Sequence, residues 1–209
     1  MGLEITALEA ELLRQAQAGD HAAFEQMWSR LEHPVRRFVR RLVGKSDAED
    51  DIVQDVSIAL FYHIQRVLPA ERLRPYVFRI ARNCCYDELR KQGRFDIDSL
   101  DDEHTEHLHA LIDTVHSSPH PEDAAHWLLL HMEVMAAMDR LPELQRQALL
   151  LYAEEGFSYA DIAVVMNTSL GTVKSRVFYA KRLLRQLLHP GTVQALEEEF
   201  QEGSTDAQP

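Results

Sequence analysis

The stretch Ser158–Arg185, SYADIAVVMNTSLGTVKSRVFYAKRLLR, carries two helical patterns separated by a short polar turn. Ser158 is an N-cap residue, able to take a backbone N–H that the first turn of a helix leaves without a partner. Ile162, Ala163 and Met166 keep helical spacing until Asn167-Thr168-Ser169 breaks the run. Asn167 tolerates the left-handed backbone a tight turn needs. A second helix is expected from Leu170, with Val173, Val177, Ala180 and Leu184 on one side and Lys174, Ser175, Arg176, Phe178 and Tyr179 on other faces. Two helices crossing steeply over such a turn make a helix-turn-helix, whose second helix fits a DNA major groove. The plainer alternative is a helical hairpin with a solvated basic face, and the rest of the chain has to decide between them.

At 209 residues and 45% apolar, the chain can bury one large core or two small ones. It has no run of eighteen apolar residues and no basic-apolar leader at Met1, which predicts neither a membrane span nor a secretory signal and so a cytoplasmic protein. The two cysteines, Cys84 and Cys85, are adjacent within a helical pattern, where neighbouring side chains point about 100° apart. A disulfide framework is excluded, and packing as a small hydrophobe is the expected role.

The net charge of −12 looks unfavourable for a DNA-binding protein until it is placed along the chain. Residues 1–95 hold 15 Lys/Arg against 14 Asp/Glu, and residues 127–189 hold 7 against 6. The acidity lies between and after them, with nine acids and no base in 96–126 and five acids and no base in 190–209. Both prospective folded units are near neutral with local basic stripes, so the global charge does not exclude nucleic acid.

A leading amphipathic helix is expected over 5–17, then a second from Asp20 in which Phe24, Met27, Trp28, Leu31, Val35, Phe38, Val39 and Leu42 recur every three or four residues. Arg36, Arg37, Arg40 and Arg41 crowd its other side, and Pro34 should kink or split it before Gly44 ends it. Ser46-Asp47 should cap a third helix running to about Arg66, its buried stripe being Ala48, Ile52, Val56, Leu60 and Ile64. Asp51, Gln54 and Asp55 fall together on a different face, next to Ile58. After a loop over 67–74, a fourth helix runs to about Gln92 with Val77, Ile80, Ala81, Cys84 and Leu89 inward. Along it, Arg79, Arg82, Asn83, Tyr86 and Arg90 align at helical spacing and Lys91 follows, a basic stripe with an aromatic in it, suited to phosphates and to stacking on an unpaired base.

Residues 96–126 are too polar for a core and read as a flexible acidic linker. Six of the eleven histidines, His104, His107, His109, His116, His120 and His126, lie here at spacings that match no compact ligand set, so neither a metal nor another cofactor is expected. Helical period resumes at Trp127, stops at Leu141-Pro142 and continues to Gly156, where the opening motif follows. The acidic 190–209 tail has only Val193, Leu196 and Phe200 at apolar spacing. The expected fold is all-α: two small helical domains joined by that linker.

Two blocks of the chain resemble one family. AGDHAAFEQMW, DAEDDIVQDVSIALF and RPYVFRIARNCCYDELRKQGR make up the first block, and RLPELQRQALLLYAEEGFSYADIAVVMNTSLGTVKSRVFYAKRLL the second. Together, in order and at this separation, they are similar to the extracytoplasmic-function sigma factors of bacterial RNA polymerase. The resemblance implies a sigma region 2 bundle over 1–95, the linker over 96–126, a sigma region 4 helix-turn-helix over 127–189 and a tail outside the pattern over 190–209. It implies that Asp51, Gln54 and Asp55 dock on core RNA polymerase, and that Arg79, Arg82, Asn83, Tyr86, Arg90 and Lys91 melt and hold the minus-ten promoter element. Thr172, Lys174, Ser175, Arg176, Phe178 and Tyr179 match positions that read the minus-thirty-five element as duplex. It also implies control by an anti-sigma protein or by an extension of the chain itself. Four positions depart from the family pattern: Tyr76-Val77 where Trp-Leu is usual, Asn167 in place of a common turn Gly, and Tyr179 where an Arg is usual.

Nothing in the chain suggests an enzyme, since no nucleophile with a base, no Gly-rich phosphate loop and no ligand set is present in the sequence. The competing reading is a helix-turn-helix regulator with an N-terminal sensor, which would have no need of an acidic helix face beside a basic, aromatic one. A third, metal-responsive reading would rest on the linker histidines.

Overall fold

The computed structural model describes residues 6–44, 48–93 and 121–196, without the side chains of 121–127. The first half consists of α1 (Ala7–Gln17), α2 (His21–Val43), α3 (Ala48–His63) and α4 (Leu73–Lys91), with single 3₁₀ turns at Ile64–Arg66 and Ala70–Arg72. The second half consists of α5 (Pro121–Met138), α6 (Glu143–Ala153), α7 (Tyr159–Met166) and α8 (Leu170–Leu187). There is no strand among the described residues.

Local chemistry sets the starts of these helices. Thr6 and Glu9 form a reciprocal capping box, the Thr6 side chain accepting from the Glu9 N–H while the Glu9 carboxylate accepts from the Thr6 N–H. Asp20 caps α2 by accepting from the Ala23 N–H at 3.1 Å. Pro34 lies inside α2 without splitting it. Met27, Leu31, Val35, Phe38 and Val39 are all fully buried around the proline, and that burial holds the helix through the one missing backbone donor. The Ser46-Asp47 cap expected for α3 lies outside the described residues, and α3 ends at His63 rather than Arg66 because the chain tightens into the 3₁₀ turn.

Glu9 does more than cap. Its carboxylate is buried and also accepts from Arg74 Nη2 at 3.1 Å, tying α1 to the start of α4. Burial pushes this carboxyl up, but the hydrogen bonds from Thr6 and Arg74 and the Arg74 charge outweigh it and hold it below the ordinary carboxylate range. Gln17 then fixes the segment between α3 and α4 by donating to the carbonyls of Ile64 (3.0 Å) and Val67 (3.1 Å). On the polar side of α2, Arg40 chelates Glu49 of α3 at 2.8 and 3.0 Å, and Arg36 reaches Glu49 and Asp50.

The inward register of α4 differs from the sequence reading. Cys85, not Cys84, is fully buried, and Phe78 and Tyr86 join Val77, Ala81 and Leu89 inside. Burial pushes the Cys84 thiol up to about 11 and the Cys85 thiol higher still, so both are protonated, weakly reactive packing groups at neutral pH. The register differs because α4 is covered on two sides, by α2 and α3 and also by α7.

α5 begins at Pro121, inside the stretch read as linker; the remainder of that linker lies outside the described residues. In the second bundle Leu150, Leu151, Ile162, Val165, Val173, Val177 and Ala180 form the core. The two bundles are not merely tethered. A single apolar cluster runs through both, and Phe78 of α4 meets Phe38 of α2 at 5.2 Å and Phe157, just before α7, edge-on at 5.0 Å. Residues 190–196 are helical. Glu133 of α5 holds their start, accepting from the His189 N–H and the Thr192 hydroxyl at 2.6 Å each.

Candidate polymerase and nucleic-acid interfaces

On α3, the first-turn acids divide by environment. Glu49 is buried and consumed by Arg40 and Arg36, while Asp51, Gln54 and Asp55 are exposed. These three line one wall of a cleft of about 880 Å³, whose other wall is Cys84, Asp87, Glu88, Arg90 and Lys91 of α4. The exposed stripe continues along α3 through Ile58 to Tyr62, which is 76% exposed, at i+7 and i+11 from Asp51. The sequence reading noted Ile58 but missed Tyr62; extending the Asp51 stripe by one more turn would have reached it. The surface is therefore acidic at one end and apolar at the other.

The α4 stripe is less uniform than its spacing suggested. Asn83, Arg90 and Lys91 are exposed, with Arg90 near Asp87 and the Tyr86 carbonyl (3.2 Å) and Lys91 3.3 Å from Glu88. Arg79 is half-buried and lies over the Tyr76 ring at 5.2 Å. Arg82 lies over the Tyr86 ring at 4.2 Å and donates to the Tyr86 hydroxyl at 3.0 Å. Tyr86 itself is only 7% exposed, and burial raises its phenol. Its hydroxyl donates to Gln147 Oε1 of α6 at 2.8 Å, and Arg82 Nε donates to the same oxygen at 3.1 Å.

The helix-turn-helix follows the sequence closely. Ser158 caps α7 by accepting from the Asp161 N–H at 3.2 Å, and Asn167 adopts the left-handed conformation with φ 50°. Ser169 caps α8 through the Thr172 N–H at 3.1 Å, and its hydroxyl lies 2.8 Å from that of Thr172. Val173, Val177 and Ala180 are buried, which leaves Lys174, Ser175, Phe178 and Tyr179 exposed, with Thr172 and Arg176 half-buried beside them. Phe178 and Tyr179 meet edge-on at 5.4 Å. Lys181 sits 4.1 Å from the Tyr152 ring, which stacks on Tyr159 at 5.3 Å, so the two bundle helices flanking α8 are tied to it by aromatics.

Among the described residues no group of three or more His, Cys, Asp or Glu could hold a metal ion, and no helix is long and apolar enough to cross a membrane. The linker histidines up to His120, and the His126 side chain, lie outside the described residues.

Residues 27–95 match the family model for Sigma-70 region 2, and residues 131–184 the model for Sigma-70, region 4. Those two regions, in that order, define a sigma-70-type factor. The chain is 34% identical over 155 residues to the ECF RNA polymerase sigma factor EcfG of Rhodopseudomonas palustris, an overlap of 74% of this chain and 79% of the relative. It is 30% identical over 186 residues to the RNA polymerase sigma-H factor of Pseudomonas aeruginosa, covering 87% and 94%. A solved structure of the sigma factor RpoE from Bartonella quintana, in complex with the anti-sigma factor NepR, superposes with a TM-score of 0.60 at 27% identity over 78% of this chain and 95% of that one. The chain belongs to the extracytoplasmic-function (ECF) sigma factors, which direct RNA polymerase to promoters.

Proposed function

We propose a division of labour among three helical faces. Asp51, Gln54 and Asp55 of α3 dock on core polymerase; Arg79, Arg82, Asn83, Tyr86, Arg90 and Lys91 of α4 engage the minus-ten element once melted; Thr172, Lys174, Ser175, Arg176, Phe178 and Tyr179 of α8 read the minus-thirty-five duplex. The corresponding units are residues 1–95 for the first two tasks, 96–126 as connection, 127–189 for the third and 190–209 as an appended tail. The observation that carries this reading is the exposed run of polar and aromatic side chains on one side of α8, set on a buried Val173-Val177-Ala180 seam and a capped N-terminus. A helix held that way can enter a major groove with its first two turns against base edges.

The chemistry is binding, with no covalent step and no cofactor. Basic groups take up phosphates of the exposed strand and aromatic rings stack on unpaired bases, which offsets part of the cost of strand opening. An anti-sigma protein acting on this chain in the cytoplasm is part of the same reading, supported by the partner described for the Bartonella quintana neighbour. Run-off transcription with purified bacterial core polymerase tests it. The expected result is a discrete promoter-dependent product that core alone does not make; no product from any template at any ratio of chain to core would overturn the reading.

A further inference from the structure

On α8, Gly171, Ser175, Phe178 and Arg182 follow one another at i, i+4, i+7 and i+11, opposite the buried Val173, Val177 and Ala180, so they form the row that faces outward. Hydrogen-bond donors are scarce along the first two turns of that row. Gly171 has no side chain, and a Cβ built there would meet only Ser169 Oγ, at 3.8 Å, so packing among the described residues does not require a glycine. The Ser175 hydroxyl donates back to the Gly171 carbonyl at 3.1 Å and is left with acceptor capacity alone. The first bulk on the row is Phe178, 61% exposed, with Tyr179 beside it at 52%, and the two rings meet edge-on at 5.4 Å.

We infer that the Phe178–Tyr179 pair reads the 5-methyl group of a pyrimidine, thymine in ordinary DNA, and that this contact sets the sequence preference at the base pair it meets. The inference deepens the assignment of α8 to the minus-thirty-five duplex and rests on it. Of the groups that base pairs show in the major groove, the C5 methyl of thymine is the apolar one, while guanine shows only acceptors there. An aromatic pair preceded by Gly171 and an acceptor-only Ser175 offers guanine no donor but the Tyr179 hydroxyl, and offers a methyl two ring surfaces. Lys174 lies on the adjoining row and is left for a phosphate or a neighbouring base.

Shape points the same way. Nothing bulky protrudes from the row before Phe178, so the first turns of α8 can approach the floor of the groove and bring the two rings against the base edges two turns in. Behind the rings, Val173, Val177 and Ala180 are buried and Ser169 caps the helix, so the pair is presented on a fixed support and not on a loop. A methyl covered in this way buries about one CH₂-sized group, which contributes about fourfold in affinity.

The test uses the full chain assembled with purified core polymerase and a DNA pool whose duplex is randomised upstream of a fixed mismatch bubble. The bubble holds every variant on the template, so the upstream contact is read as a difference. Wild-type holoenzyme should enrich thymine at a fixed upstream position. Deoxyuridine in place of that thymine should weaken binding about fourfold, and 5-methylcytosine there should bind tighter than cytosine by a similar factor. Tyr179→Phe should keep this methyl dependence, because the ring makes the contact. Phe178→Ala with Tyr179→Ala should abolish it at unchanged helical circular dichroism, and Tyr179→Arg should move the enriched base toward guanine. Equal binding of thymine and deoxyuridine at every enriched position overturns the inference and leaves the assignment of α8 standing, and so does a double variant that keeps the methyl dependence. A pool from which wild-type holoenzyme enriches no upstream sequence overturns the assignment of α8 and the inference with it.

Discussion

Single side chains here take one of two roles that composition alone does not distinguish, and Glu9 and Lys174 illustrate them. Glu9 is a charged residue serving structure: buried, capping α1, and paired with Arg74. Its lowered pKa means that its stabilisation is present above the ordinary carboxylate value of about 4.3 and is lost as pH falls through the folded value. Glu9→Gln should cost about 2 kcal/mol or more at pH 7, because it strands Arg74 without a counter-charge, and the penalty should shrink as pH is lowered below about 4. Urea unfolding at several pH values checks both, and a penalty that does not change with pH would contradict the assignment. Lys174 is the opposite case, an exposed side chain on the outward side of α8. Lys174→Ala should leave unfolding unchanged within about 0.5 kcal/mol. It should weaken duplex promoter binding by the holoenzyme by about 1–3 kcal/mol if the side chain reads a base, or reduce the salt slope by about one if it meets a phosphate. A titration of affinity against salt distinguishes the two. Tyr179, half-exposed against Phe178, puts an aromatic ring where relatives are expected to carry a cation, so its replacement by Arg should steepen the salt dependence.

At the scale of the helix, legibility followed how many neighbours each helix has. α7 and α8 were readable nearly residue by residue: Ser158, Asn167, Val173, Val177 and Ala180 all stand as their spacing predicted, because caps and a single buried seam decide them. α4 was readable as a helix but not in its inward register, since two sets of neighbours bury more than one stripe and Phe78, Cys85 and Tyr86 face a partner no local pattern reveals. Pro34 was expected to kink or split α2; the helix is not split, and packing across it holds the chain helical through the proline. For α3, the acidic face and Ile58 were read, while Tyr62, one turn further along the same stripe, was within reach of that spacing but left out of it. Replacing Asp51 and Asp55 together by Ala should weaken binding to core polymerase with helicity and unfolding midpoint preserved, measured by fluorescence anisotropy against purified core. Adding Tyr62→Ala should weaken it further if the apolar end of the stripe belongs to the same contact, and an unchanged affinity in the triple variant would remove α3 from the interface.

For the molecule as a whole, the family and the two-bundle organisation were readable, but their mutual packing was not. Gln147, Glu155 and Phe157 carry the seam, and in sequence they look like ordinary members of a helix and the turn after it. Long-range pairs of this kind leave no trace in spacing, because their partners lie 61 and 118 residues away. The seam also has a pH sense. Burial raises the Glu155 carboxyl against the opposing pull of Arg37, with Glu154 raising it and Arg74 lowering it, so the packed seam holds a proton more tightly than separated bundles would. The packing of the two bundles should therefore strengthen as pH falls into the carboxylate range and weaken as pH rises through the Glu155 value. Sedimentation of the wild type across that range should show the more compact form on the acid side, and Glu155→Gln should flatten the trend.

Glu133 grips both the His189 N–H and the Thr192 hydroxyl, and those contacts hold its carboxyl below the usual range. The chain beyond α8 is thereby anchored at a fixed origin beside α5 instead of swinging from the end of the reading helix. The five acids of residues 197–209 are thereby tethered to a point set by α5 and not by the tip of α8, so their origin is the Glu133 clasp.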